Sequence, residues 1–98
     1  MGRLDGKVAF VTAAGGAIAG RTARLFGAEG AAVACVDIAE DNVKQTAADI
    51  EAAGGSAMAL VCDVTDEAAV KAAIEETVAG FGSLTTVFNA AAFGDPLL

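Results

Sequence analysis

The run Val11-Thr12-Ala13-Ala14-Gly15-Gly16-Ala17-Ile18-Ala19-Gly20 is the stretch whose residue types and spacing point to chemistry. It follows a compact apolar run and opens an amphipathic one, so it reads as a strand-to-helix turn of small residues. The first amides of such a helix lack intrahelical partners, and the positive end of the helix dipole lies beside them. Together these attract phosphate, and small side chains let the backbone approach a pyrophosphate closely. Asp37 closes the next apolar run, about 20 residues on, where a carboxylate grips ribose hydroxyls. A carboxylate there also repels a 2′-phosphate, and no Arg or Lys lies in the turn or beside Asp37. The pattern predicts NAD rather than NADP.

Two other readings compete for the same residues. Gly15 and Gly20-Arg21-Thr22 make a near-miss of the G-x-x-x-x-G-Lys-Ser/Thr phosphate loop of ATPases and GTPases. That loop needs a compact lysine charge at the β- and γ-phosphates, and the planar, bulkier arginine is a poor substitute. The third reading is a non-catalytic nucleotide-binding or interaction module built on the same sheet.

Composition narrows the field further. The chain has 98 residues, a formal charge of −7, and no His, Tyr or Trp. No imidazole is available as base, nucleophile or metal ligand, and no phenol can donate a proton. No metal site is expected. The acidic balance argues against nucleic acid, whose binders carry a basic face. Glu75-Glu76 and Asp66-Glu67 read as solvated helix faces, not paired catalytic carboxylates. Cys35 and Cys62 sit in short apolar runs with no C-x-x-C spacing, which predicts two reduced, buried thiols. The opening residues have no apolar segment of a secretory signal, and no run approaches the ~18 apolar residues of a membrane helix. No membrane and a cytoplasmic setting are the expectation.

The elements that must hold the turn follow from hydrophobic patterning. Apolar runs at residues 7–12, 31–36, 57–62 and 84–88 predict four strands. Helices are predicted over 17–29, 40–53 and from a Thr65 cap to 81. In the first helix Ile18, Leu25 and Phe26 form the face expected to meet the core. Val43, Ala47 and Ile50 do so in the second, and Val70, Ile74, Val78 and Phe81 in the third. Continuous apolar strands alternating with helices imply a parallel sheet covered on both faces, with right-handed crossovers.

With those blocks in order, the sequence resembles the short-chain dehydrogenase/reductase family over its whole length. The opening Leu4-Asp5-Gly6-Lys7-Val8-Ala9-Phe10-Val11-Thr12 is similar to that family's first strand. Its T-G-x-x-x-G-x-G motif falls on Thr12, Ala13, Ala17 and Ala19. Its acid after strand two falls on Asp37, and its acid after strand three, which meets the adenine amine, on Asp63. Its N-N-A-G block falls on Asn89, Ala90, Ala91 and Ala92. The resemblance implies NAD(H)-dependent oxidoreduction of an alcohol or ketone. The cofactor would be held by Thr12, Ala13, Gly15, Gly16, Ala17, Ile18, Asp37, Ile38, Asp63 and Val64, with Asn89, Ala90 and Ala91 as the wall at strand four.

The departures carry their own expectations. Alanine stands at 13, 17 and 19, where the family has glycine. Alanine with positive φ is strained by about 1 kcal/mol or more. A methyl at 17 would intrude on the pyrophosphate, and one at 19 would crowd helix against strand. Weakened dinucleotide binding or a displaced pose is predicted. The family's catalytic Ser and Tyr-x-x-x-Lys lie beyond the N-N-A-G block, so no catalytic residue is assigned and the chain alone is not expected to turn over substrate.

The expected fold is therefore α/β: a Rossmann-like parallel sheet of order 3-2-1-4 with flanking helices. Residues 1–98 would be one NAD-binding unit, the truncated half of a doubly wound domain. An alcohol or ketone would be its substrate only with the other half present. An alanine-rich core and a bare edge on strand four predict marginal stability, self-association as a homo-oligomer, or reliance on further chain.

Overall fold

The computed structural model describes residues 2–89. Four strands and three helices alternate: β1 (Val8–Thr12), α1 (Ala17–Ala28), β2 (Ala32–Asp37), α2 (Glu40–Ala52), β3 (Ser56–Val61), α3 (Glu67–Phe81) and β4 (Thr86–Phe88). The strands form one parallel sheet, as the apolar runs predict, in the order β3-β2-β1-β4 that the family resemblance implies. Register places Thr12 opposite Val36 and Asp37 opposite Val61, so the carboxyl ends of β1, β2 and β3 lie at one rim of the sheet. Predicted and observed ends differ by one or two residues, which is ordinary fraying.

Alternation along the central strands sorts side chains onto two faces. Ala9, Val11, Val33 and Cys35 face one way and pack with Ala19 and Ala23 of α1 and Val43, Ala47 and Ile50 of α2. Phe10, Ala34, Val36 and Leu60 face the other way and pack with Ala73 of α3 and with Cys62, just beyond β3. Val11, Val33, Val36 and Val43 are wholly enclosed, and each contributes about 1.5–3 kcal/mol by leaving water. Cys35 and Cys62 are both free and buried, and they belong to opposite faces of the sheet.

Helix α1 corrects one expectation. Ile18 and Leu25 do not face the core: they are 79% and 58% exposed. The buried face is Ala19, Gly20, Ala23 and Gly27. Small residues win because the helix lies close to its neighbours. A Cβ added to Gly27 would come within 2.7 Å of the Ile50 side chain. On α3, Val78 is likewise exposed, while Val70, Ile74 and Phe81 are partly buried against the core as expected.

The cap of α3 is a second correction. Asp66, not Thr65, precedes the first helical residue, and its carboxylate accepts from the Ala68 and Ala69 amides at 3.0 and 3.3 Å. An aspartate adds charge to the cap, so it suits the positive helix end better than a hydroxyl. Among the described residues, no helix is long and apolar enough to cross a membrane.

Candidate functional site

The turn between β1 and α1 opens at the carboxyl rim. Ala13 stands there with φ of +57°, the only non-glycine at positive φ among the described residues. The strain expected of an alanine at this position is therefore present. The left-handed residue reverses the chain so that the next two amides point at the end of β2. Ala14 N–H donates to the Val36 carbonyl at 3.0 Å. Gly15 N–H donates to Asp37 Oδ2 at 2.8 Å, across 22 residues.

Asp37 is half-buried, and its other oxygen, Oδ1, accepts from the Ala39 amide at 3.2 Å. An ionised carboxylate has about four acceptor positions, so two backbone amides fix its plane and leave acceptor capacity on both oxygens. Gly15 must lack a side chain for this contact. A Cβ there would come within 2.8 Å of both Asp37 Oδ2 and the Asn42 Cβ.

Helix α1 begins immediately afterwards. Gly16 is its N-cap, no side chain caps it, and its first turn holds no acidic residue. Gly16, Ala17 and Ile18 are all exposed. The donor set is thus an open helix end next to a fixed carboxylate. Phosphate favours the first and a vicinal diol the second, so the residues present fit a dinucleotide. Ala17 carries its methyl at the open end, where the pyrophosphate would pass. Ala19 carries its methyl into the buried core shared with Ala9 and Val11 of β1, between helix and sheet.

Other predicted residues fall into place unequally. Thr12 is buried, and its hydroxyl donates to Asn89 Oδ1 at 2.9 Å, tying the end of β1 to the residue after β4. Ile38 is 66% exposed just beyond Asp37. Asp63 lies at the same rim, beyond β3, but joins none of the turn residues in a hydrogen bond. Its Oδ1 accepts from the Thr65 amide at 2.9 Å and the Thr65 hydroxyl at 2.6 Å. These two donors, the hydroxyl first, hold its carboxyl below the ordinary carboxylate range. Val64 packs against the Phe10 face of the core and not toward the turn. Ala90 and Ala91 lie outside the described residues.

Two residues of the site escape the sequence patterns. Asn42 of α2 borders Gly15. Thr46, also of α2, is buried and donates to the Ala14 carbonyl at 2.8 Å. The available signal is a hydroxyl inside the apolar stripe Val43, Ala47, Ile50, where a polar side chain demands a partner.

The phosphate-loop reading does not fit. Thr22 lies five residues beyond the start of α1, and its hydroxyl donates back to the Ile18 carbonyl at 3.0 Å. In a phosphate loop that hydroxyl stands at the helix start. Among the described residues no group of three or more His, Cys, Asp or Glu could hold a metal ion. A hollow of about 580 Å³ bordered by Asp5, Lys7, Ser56 and Ser83 lies at the amino ends of the strands, away from the turn.

Comparison with known proteins agrees with this geometry. The family model described as short chain dehydrogenase matches residues 7–97. The chain is 42% identical over 94 residues to 2,5-dichloro-2,5-cyclohexadiene-1,4-diol dehydrogenase LinX of Sphingobium indicum, covering 96% of this chain and 38% of that protein. The crystal structure of a short chain dehydrogenase from Mycobacterium smegmatis superposes with a TM-score of 0.89 at 41% identity, over 97% of this chain and 40% of that one. A 7α-hydroxysteroid dehydrogenase complexed with NADH and 7-oxo glycochenodeoxycholic acid gives a TM-score of 0.88 at 34% identity, over 97% and 40% of the two chains. The chain spans well under half the length of these relatives.

Proposed function

The chain belongs to the short-chain dehydrogenase family, and on that premise we propose that it holds the adenosine and pyrophosphate of NAD(H). It would be the cofactor half of an oxidoreductase acting on an alcohol or ketone in the cytoplasm. When bound, a nicotinamide dinucleotide supplies the hydride acceptor or donor for such a reaction. The chain's own part is binding and orientation. The open end of α1 takes the pyrophosphate, with Gly15, Gly16, Ala17 and Ile18 around it. Asp37 takes the ribose diol, and Ile38 covers the sugar edge. Asp63 offers its second oxygen to the adenine amine. Thr12 and Asn89 close the β1–β4 end of the cleft.

The observation that carries this reading is the Gly15 amide on Asp37 Oδ2, 2.8 Å apart. It ties the ribose acceptor to the turn that precedes the phosphate-binding helix end. The same carboxylate underlies the preference for NAD, since a 2′-phosphate would meet its charge. Isothermal titration of the chain with NADH, NADPH and magnesium ATP tests the reading. NADH binding at least ~10-fold tighter than NADPH, a gap of about 1.4 kcal/mol, is the expected result. Equal affinity for NADPH overturns the preference. Binding of magnesium ATP alone, or of none of the three, overturns the dinucleotide assignment.

A further inference from the structure

Thr46 stands in the middle of the buried face of α2 and is 2% exposed. A hydroxyl in that position costs stability unless it finds a partner. Its own helix offers one, the Asn42 carbonyl at 3.2 Å, yet the shorter bond leaves the helix and reaches the Ala14 carbonyl at 2.8 Å, 32 residues away in the β1–α1 turn. Ala14 is itself fully buried, and its amide is held by the Val36 carbonyl. Both polar backbone groups of that residue are therefore fixed from outside the turn, one by β2 and one by α2.

The orientation of the next peptide follows from this. With Ala14 held at both ends, the Gly15 amide is directed at Asp37 Oδ2. Packing closes the arrangement from the α1 side: a Cβ added to Gly20 would stand 3.0 Å from the Ala14 carbonyl oxygen and 3.5 Å from Thr46 Oγ1. Three elements thus converge on Ala14, α1 and α2 at its carbonyl and β2 at its amide. The turn they brace contains the strained Ala13, where the family motif has glycine.

We propose that Thr46 is a positioning residue of the nucleotide site: its buried hydroxyl holds the Ala14 carbonyl, and through it the Gly15 amide and the Asp37 carboxylate. The ligand in this statement rests on the function proposed above, whereas the bracing of the turn does not. A role in packing alone would depend on the shape of the side chain. A positioning role depends on the hydroxyl.

Thr46→Val keeps the shape and removes the donor, and Thr46→Ser keeps the donor and removes a methyl. Two measurements are made on each: amide hydrogen exchange at Ala14 and Gly15 without ligand, and NADH titration. Thr46→Val is expected to speed exchange at those two amides by about tenfold more than at Phe10 in mid-β1, and to weaken NADH by about tenfold. Thr46→Ser is expected to match the original chain within about twofold in both. Exchange and affinity unchanged in Thr46→Val overturn the proposal, as does a serine variant impaired as much as the valine one. If Thr46→Val does not fold, the exchange of Thr46→Ser decides: slow exchange supports the hydroxyl, fast exchange overturns it. If the original chain binds no NADH, the nucleotide reading falls while the exchange contrast still judges Thr46.

Discussion

Strands β2 and β3 lie side by side, run the same way and each lead into an aspartate at the carboxyl rim. Asp37 takes an amide from Gly15, 22 residues earlier in the chain, and is half-buried. Asp63 takes its donors from Thr65, two residues later, and is exposed. One carboxylate is a tertiary crosslink between the turn and the central sheet. The other shapes its own loop before the Asp66 cap of α3. Two residues that look alike in sequence therefore differ in what depends on them. Removing Asp37 disturbs the whole turn, and removing Asp63 disturbs one connection.

The sharpest way to break the comparison is Asp37→Ala. Two backbone amides, those of Gly15 and Ala39, lose their acceptor at a partly buried site. Loss of stability of about 1–3 kcal/mol is expected, read by urea unfolding. On the proposed function, NADH affinity should fall by about 10–100-fold, since the carboxylate assigned to the ribose is lost together with the turn's geometry. Equal losses for Asp37→Ala and Asp63→Ala would erase the distinction between the two carboxylates.

A smaller effect, opposite in sign, is expected at Ala13. Left-handed φ costs an L-residue roughly 1–2 kcal/mol, and glycine relieves it while losing about 0.4–1 kcal/mol through its freer unfolded chain. Ala13→Gly should stabilise the protein by about 0.5–1 kcal/mol. In a domain of this size that raises the melting temperature by about 2–8 °C. Ala17→Gly, outside the positive-φ region, should bring no such gain. A fall in melting temperature for Ala13→Gly would show that the strain is already relieved by its neighbours. The turn would then be less like a loaded hinge and more like the relaxed loop at Asp63.

What the sequence made legible follows the same division. The apolar runs closed by Asp37 and Asp63 placed the strands and the rim, and the family resemblance supplied their order. Glycine missing at 13 announced a strained turn, because the sign of φ is a local property of the motif. The face of α1 was not legible. Hydrophobic periodicity weights Ile18 and Leu25, whereas the packed face uses Ala19, Gly20, Ala23 and Gly27, whose value is small size and not hydrophobicity. Periodicity carries no information on how close a neighbouring helix comes. Thr46 was hidden for a related reason. Its partner, the Ala14 carbonyl, is a backbone atom supplied by the fold, and no side-chain pattern marks it. The cap of α3 turned on the choice between adjacent Thr65 and Asp66, two acceptable caps of which geometry selects one.

The gentlest test addresses Asp63 by pH. Its carboxyl is held below the ordinary value of 3.8 by the Thr65 hydroxyl and amide. A folded value below the unfolded one means that the ionised form is favoured in the native state. That contribution is present above pH 3.8 and is lost as pH falls through the lower, folded value. Thr65→Val removes the hydroxyl, the larger of the two causes. It should raise the Asp63 titration midpoint toward 3.8, followed by NMR of the carboxyl carbon. The melting temperature of Thr65→Val should lie slightly below that of the original chain at neutral pH, and the gap should close on acidification below pH 3.8. NADH affinity should change by less than about threefold, because Thr65 bonds Asp63 Oδ1 and the exposed bond adds little to the other oxygen, the one proposed to meet the adenine amine. A gap independent of pH would mean that Thr65 acts through packing. A large loss of NADH affinity would mean that the Thr65 bond positions Asp63 for the nucleotide as the Gly15 bond positions Asp37, and the contrast between the two strand ends would have to be abandoned.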